Sequence, residues 1–223
     1  MAEPNPEELV DLGVKSIEAK DYIQAKKYFE KACGLNNGGG CGALGDLYVV
    51  EKNLIKAAQL YSKACELKEG LGCKRLGSLY YHGRGVEKNL TKATQYLSKA
   101  CDLKYGRGCN DLGELYYNGE GVEKNLTKAT QYFSKACDLN NGGGCSNLGV
   151  LYQNGQVVEK DLIKAAYFYS KACDLKEGMG CGNLGVLYYN GDGVKRDSKK
   201  ADQYFSKACK LGNQEACEAL KEK

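Results

Sequence analysis

Lys63-Ala-Cys-Glu-Leu-Lys-Glu-Gly-Leu-Gly-Cys73 is the stretch that decides the fold. Lys-Ala-Cys, a few more helical residues, a turn with glycine and a second cysteine eight positions after the first recur along the whole chain. The pairs are Cys33/Cys41, Cys65/Cys73, Cys101/Cys109, Cys137/Cys145, Cys173/Cys181 and Cys209/Cys217, and they use all 12 cysteines. Each pair begins 36 residues after the last, except that 32 separate Cys33 from Cys65. A fixed period of this size marks a repeat architecture, in which no unit buries its apolar face alone and stacking completes the core.

The cysteine arithmetic favours disulfides. Thiolate metal sites usually place two cysteines two to four residues apart and often add histidine. Here the members of a pair are eight apart, and His82 is the only histidine. No metal and no cofactor is therefore expected; buried thiols are the remaining reading. Disulfides imply an oxidising compartment, so a secreted or periplasmic protein is expected. Its leader would be missing from this sequence, since Met1-Ala-Glu-Pro4 has neither a basic start nor an apolar core. No apolar run approaches the length of a membrane span. The net charge is +4, with 32 basic and 28 acidic residues interspersed. Without a basic stripe, nucleic acid is not an expected partner.

Taken in order, Pro6, Glu7 and Glu8 open a first helix, and Asp21 caps a second. From residue 39 each unit reads as two helices, A and B. In the clearest unit Cys73, Leu76, Gly77 and Tyr80 share one face of helix A. Tyr116, Tyr152 and Tyr188 repeat Tyr80, and all four are expected in the buried stripe. Gly77 and its equivalents Gly45, Gly113, Gly149 and Gly185 are expected to let helix B approach closely. Gly83 sits where a left-handed helix end belongs, Val86 plugs the connection, and Asn89, Asn125, Asp161 and Asp197 cap the B helices. The repeat at Tyr48–Asn53 omits four residues of this connection, and Val157 replaces a glycine in another. The B-to-A turns, such as Asn36-Asn-Gly-Gly-Gly40, read as glycine turns that a bridge would stabilise. Lys31, Lys63, Lys99, Lys135, Lys171 and Lys207 favour the negative end of helix B. The expectation is thirteen helices: a hairpin at 5–38, repeats at 39–70, 71–106, 107–142, 143–178 and 179–212, and a capping helix at 213–223, in one solenoid spanning 1–223.

Leu76-Gly-Ser-Leu-Tyr-Tyr, Gly83-Arg-Gly-Val, Lys92-Ala and Tyr96-Leu-Ser-Lys-Ala, with their counterparts, resemble the Sel1-like repeat proteins, relatives of the tetratricopeptide repeats. The added cysteine pair is similar to the secreted Helicobacter cysteine-rich proteins. The resemblance implies an all-α, α/α superhelix with one disulfide tying each helix B to the next helix A, exported by a bacterium. It also implies an adaptor that holds proteins or peptides, and for some relatives host interaction. Members are described as penicillin-binding proteins or slow β-lactamases, but no catalytic residues carry over.

The residues themselves favour a scaffold over an enzyme. No serine has a lysine three positions on, and the Ser-Asp-Asn and Lys-Thr-Gly elements of serine β-lactamases are missing. One histidine cannot build a zinc hydrolase site. Opposite the core stripe, helix A presents Arg75 and Ser78, then Asp111 and Glu114, Asn147 and Val150, Asn183 and Val186. These vary while the core repeats. They are the expected lining of a concave groove for an extended peptide or protein segment, with Asn147 and Asn183 gripping backbone amides. A monomer is expected, and β-lactam compounds are the alternative ligand.

Overall fold

In the computed structural model, which describes residues 4–155 and 159–221, the described residues form thirteen α-helices and no strand. In order they are α1 (Pro6–Glu18), α2 (Tyr22–Gly34), α3 (Gly38–Val50), α4 (Leu54–Glu66), α5 (Gly70–His82), α6 (Leu90–Asp102), α7 (Gly106–Asn118), α8 (Leu126–Asp138), α9 (Gly142–Asn154), α10 (Leu162–Asp174), α11 (Gly178–Asn190), α12 (Ser198–Lys210) and α13 (Gln214–Ala219). Odd-numbered helices are the A helices and even-numbered ones the B helices. The all-α, α/α solenoid fold expected from the repeat is the one observed. The helices group into two compact units, one ending at Gly108 and one beginning at Cys109.

Local chemistry sets the helix ends. The side chains of Asn89, Asn125, Asp161 and Asp197 accept the backbone N–H three residues on at 2.9, 2.9, 2.9 and 3.0 Å, satisfying a donor that a helix start leaves open. The cap's own N–H is tied back to the tyrosine that ends the preceding core stripe, as in Asn89 to the Tyr80 carbonyl at 2.9 Å. The shortened connection keeps this tie, Asn53 to Tyr48 at 2.8 Å, which is why four residues can be lost without moving the helices apart. Gly83, Gly155 and Gly191 end their A helices with φ of 67°, 66° and 83°. Val157 lies outside the described residues.

The B-to-A turns differ from the sequence expectation. Gly38, Gly39 and Gly40 belong to the first turn of α3, and Gly142–Gly144 to that of α9, rather than to glycine turns. The left-handed residue is Asn36, Lys68, Lys104, Asn140 or Lys176, with φ between 57° and 64°. Each B helix closes with the same pair of backbone bonds, such as Glu69 N–H to the Ala64 carbonyl at 2.9 Å and Lys68 N–H to that of Cys65 at 3.1 Å. Glycine is needed one residue before the second cysteine for a different reason. A Cβ on Gly40 or Gly72 would lie 2.6 Å from the Cβ of Ala32 or Ala64, so the start of each A helix rests on the end of the preceding B helix.

That proximity brings the sulfurs together. Disulfides join Cys33–Cys41 and Cys65–Cys73 in the first unit and Cys137–Cys145, Cys173–Cys181 and Cys209–Cys217 in the second. Cys101 and Cys109 are likewise oxidised, and no free cysteine occurs among the described residues.

The core lies between A and B helices. Gly45 and Gly113 admit an aromatic ring of helix B, not its backbone: a Cβ would lie 2.6 Å from the Tyr61 ring and 2.7 Å from the Phe133 ring. At Gly77 a Cβ would instead lie 3.1 Å from Leu97 and 3.3 Å from the Ala93 carbonyl, the close approach of helix B expected there. The tyrosines expected in the buried stripe are only half-buried. They stack on the next B helix, Tyr80 on Tyr96 at 5.6 Å and Tyr116 on Tyr132, Tyr152 on Phe168 and Tyr188 on Tyr204 at 5.5 Å. Lys92, Lys128, Lys164 and Lys200 cover the outer ring faces at 5.1–5.3 Å, so the phenol edges stay at the surface.

Candidate functional site

In the first unit Arg75 and Ser78 stand on α5 beside Asp46 of α3, above the Tyr61 ring of α4. The Tyr61 hydroxyl donates to Asp46 Oδ1 at 2.6 Å, Arg75 forms an ion pair with the same carboxylate, and its guanidinium lies 5.6 Å from the ring centre. Burial pushes the Tyr61 phenol up to about 12 and lowers the Arg75 value, the latter opposed by Tyr105. These groups border an open recess of about 380 Å³, with Ser78 and Lys74 on its wall. Much of the charge expected to face a ligand is therefore matched internally.

In the second unit, Asn147 on α9 donates to Asn110 Oδ1 on α7 at 3.0 Å, and Asn110 donates to Glu114 at 2.8 Å. On α10 the Tyr169 hydroxyl donates to Gln153 Oε1 at 2.6 Å and is also hydrogen-bonded to Asn183 of α11. Burial holds the Tyr169 phenol up at about 12, with Asn183 opposing. Asp111 is half-buried and Glu114 exposed. Val150 packs against the core, while Val186 stays 41% exposed. Asn147 and Asn183 are thus oriented by side-chain partners before any ligand arrives, with Val150 and Val186 one helical turn further along the same helices.

Sequence reasoning missed the partner of this face. The B-helix core position is Tyr61 and Tyr169 in two repeats but Phe29, Leu97, Phe133 and Phe205 elsewhere. Where a hydroxyl is present, the preceding A helix supplies its acceptor, Asp46 or Gln153, and the next A helix adds Arg75 over the Tyr61 ring or Asn183 at the Tyr169 hydroxyl. The signal was a tyrosine among apolar equivalents, legible only once the position was known to point toward the A-helix face. Lys63 also does more than offset a helix dipole: its Nζ donates to the Cys33 carbonyl of the preceding B helix at 2.9 Å.

The Ser62 hydroxyl donates to the Glu66 carboxylate on a helix surface, and the Ser16 hydroxyl to the Leu12 carbonyl. Ser146 is fully buried. His82 is exposed, its ring edge-on to Tyr81 at 4.8 Å. No group of three or more His, Cys, Asp or Glu that could hold a metal occurs among the described residues, nor does any helix long and apolar enough to cross a membrane.

Stacked helical hairpins with cysteines linked across their junctions define a disulfide-bonded α/α repeat scaffold. The Sel1 repeat family matches residues 12–37, 40–69, 71–105, 106–141, 143–177 and 179–213, and the chain belongs to that family. The crystal structure of a Sel1 repeat protein from Oxalobacter formigenes is similar over 95% of this chain and 86% of its own, with a TM-score of 0.84 and 26% identity. Helicobacter pylori cysteine rich protein B is 48% identical and covers 60% of this chain and 96% of its own, with a TM-score of 0.50. Beta-lactamase HcpA of Helicobacter pylori strain J99 is 54% identical over 48 residues, 22% of this chain. Such matches span only 17–19% of the length of the curated relatives.

Proposed function

We propose that this chain is an exported scaffold that holds an extended peptide or protein segment along its A-helix face, in the setting of host interaction. One observation carries the reading: Asn147 and Asn183 stand on successive A helices, each held by a side-chain partner and each followed by a valine three residues on. An amide both donates and accepts, as a peptide backbone requires, and the valines offer apolar contact between those points. Preorganisation lowers the ordering cost of binding. The oxidised cysteines support export, because such bonds persist outside the reducing cytosol.

The test is capture of an extended peptide library by the oxidised protein. Replacing Asn147 and Asn183 together by alanine is expected to weaken capture about tenfold, the loss of one to two backbone hydrogen bonds, with the helical spectrum unchanged. Unchanged capture by a folded double variant would sink the groove. The second reading, β-lactam binding or slow hydrolysis, rests on the name of HcpA. It requires saturable nitrocefin turnover that survives purification and disappears with one point substitution.

A further inference from the structure

Five of the six cysteine pairs share one local geometry, and Cys209–Cys217 departs from it. At the five, glycine precedes the second cysteine and alanine the first. A Cβ on Gly40, Gly72, Gly108, Gly144 or Gly180 would lie 2.4–2.6 Å from the Cβ of that alanine, so no side chain fits. At the sixth pair the residue is Ala216, opposite Ala208. Carbon atoms in contact sit about 3.5–4.0 Å apart, so two methyl groups hold the start of α13 off the end of α12. The turn between them differs too. Its left-handed residue is Gly212, at φ 89°, where the other five turns use asparagine or lysine. Glycine gives that turn the widest backbone freedom of the six.

The exposure of the cysteines follows the backbone. The other ten are buried, none of them more than 8% exposed, whereas Cys209 and Cys217 are both partly open to solvent. Little of α13 is buried: Ala216 alone is enclosed, and Leu220 packs partly against the cluster that holds Phe205 and Ala208. The local charge also changes. The residue after the first cysteine is Glu66, Asp102, Asp138 or Asp174 in four repeats but Lys210 here, on the last turn of α12. An ammonium group there favours the approach of an anionic thiolate, although Glu215 and Glu218 flank Cys217 on the other side. Access to sulfur governs the rate of thiol–disulfide exchange, and this bridge (Cys209–Cys217) is the accessible one.

We propose that Cys209–Cys217 is a thiol-exchange site, at which the chain takes up a low-molecular-weight monothiol as a mixed disulfide. The thiolate of the small molecule attacks the sulfur of one of the two cysteines. A new S–S bond forms as the Cys209–Cys217 bond breaks. The electron pair leaves on the other cysteine, whose thiolate takes a proton from water. One disulfide replaces another, so no separate oxidant or reductant is consumed. The adduct cuts the covalent tie between α12 and α13 and leaves one free thiol next to it. The buried bridges react only from locally opened forms, so they survive conditions that convert this one. The site is separate from the A-helix face and does not rest on it.

The probe is reduced glutathione, added in excess to the oxidised full chain without denaturant. Samples are quenched with iodoacetamide over time and mapped by peptide mass spectrometry. One glutathione adduct is expected at Cys209 or Cys217, with the other of the two alkylated. It should form about tenfold or more faster than any modification of the ten buried cysteines. Replacing Cys209 and Cys217 together by serine should remove the fast adduct and leave the slow reactions as they were. An adduct that forms first at another pair, or all pairs reacting at one rate, overturns the proposal. So does a fast adduct that persists in the serine variant. Should that variant not fold, the map of the unaltered chain still decides.

Discussion

Gly113 and Gly42 are both buried helical glycines, yet opposite outcomes are expected when each becomes alanine. At 113 a Cβ would meet the Phe133 ring at 2.7 Å, and overpacking outweighs the gain in helix propensity by about 1–2 kcal/mol. At 42 nothing lies within 4 Å, so alanine should stabilise by about 0.5–1 kcal/mol. Urea midpoints of the two variants check the pair. Tyr61 and Tyr169 add a pH dependence. Both phenols are pushed up to about 12, above the ordinary value of 10.0, so their contribution is whole below pH 10 and lost as pH rises toward 12. Replacing both by phenylalanine should flatten stability between pH 10 and 12 in alkaline unfolding curves; an unchanged slope would place the dependence elsewhere.

At the scale of elements, caps and turns do separable work. Asn89→Ala removes the acceptor for the Lys92 N–H and should cost about 1 kcal/mol in thermal unfolding. Asp161 makes the same cap with a carboxylate, held below its ordinary range by the Lys164 backbone N–H foremost. Its contribution is present above pH 4 and fades as pH falls through the depressed value. Asp161→Asn should remove that acid-side loss while keeping the helix, as midpoints between pH 5 and 2 would show. Caps and connections were legible because side-chain capping is local chemistry with fixed offsets. The B-to-A turn was not. Gly38–Gly40 read as a loop because glycine is a poor helix former, but the start of α3 is pressed onto Ala32, where tertiary contact overrides propensity.

For the molecule as a whole, stability in such arrays is a sum of repeats and their junctions, and each disulfide sits at a junction. Replacing Cys137 and Cys145 together by alanine should cost about 2–3 kcal/mol by the chain-entropy account, read from denaturant unfolding under oxidising conditions. A loss near zero would show that packing between α8 and α9 alone holds that junction. The period, the cysteine pairing and the helix count could be read from the chain because each is a property of residues a fixed distance apart. Which glycines face rings and why Asn183 and Arg75 accompany a tyrosine were decided only by tertiary structure. These depend on which surface one helix turns toward another, and that orientation follows from side chains competing for the same space, not from any single stretch of sequence.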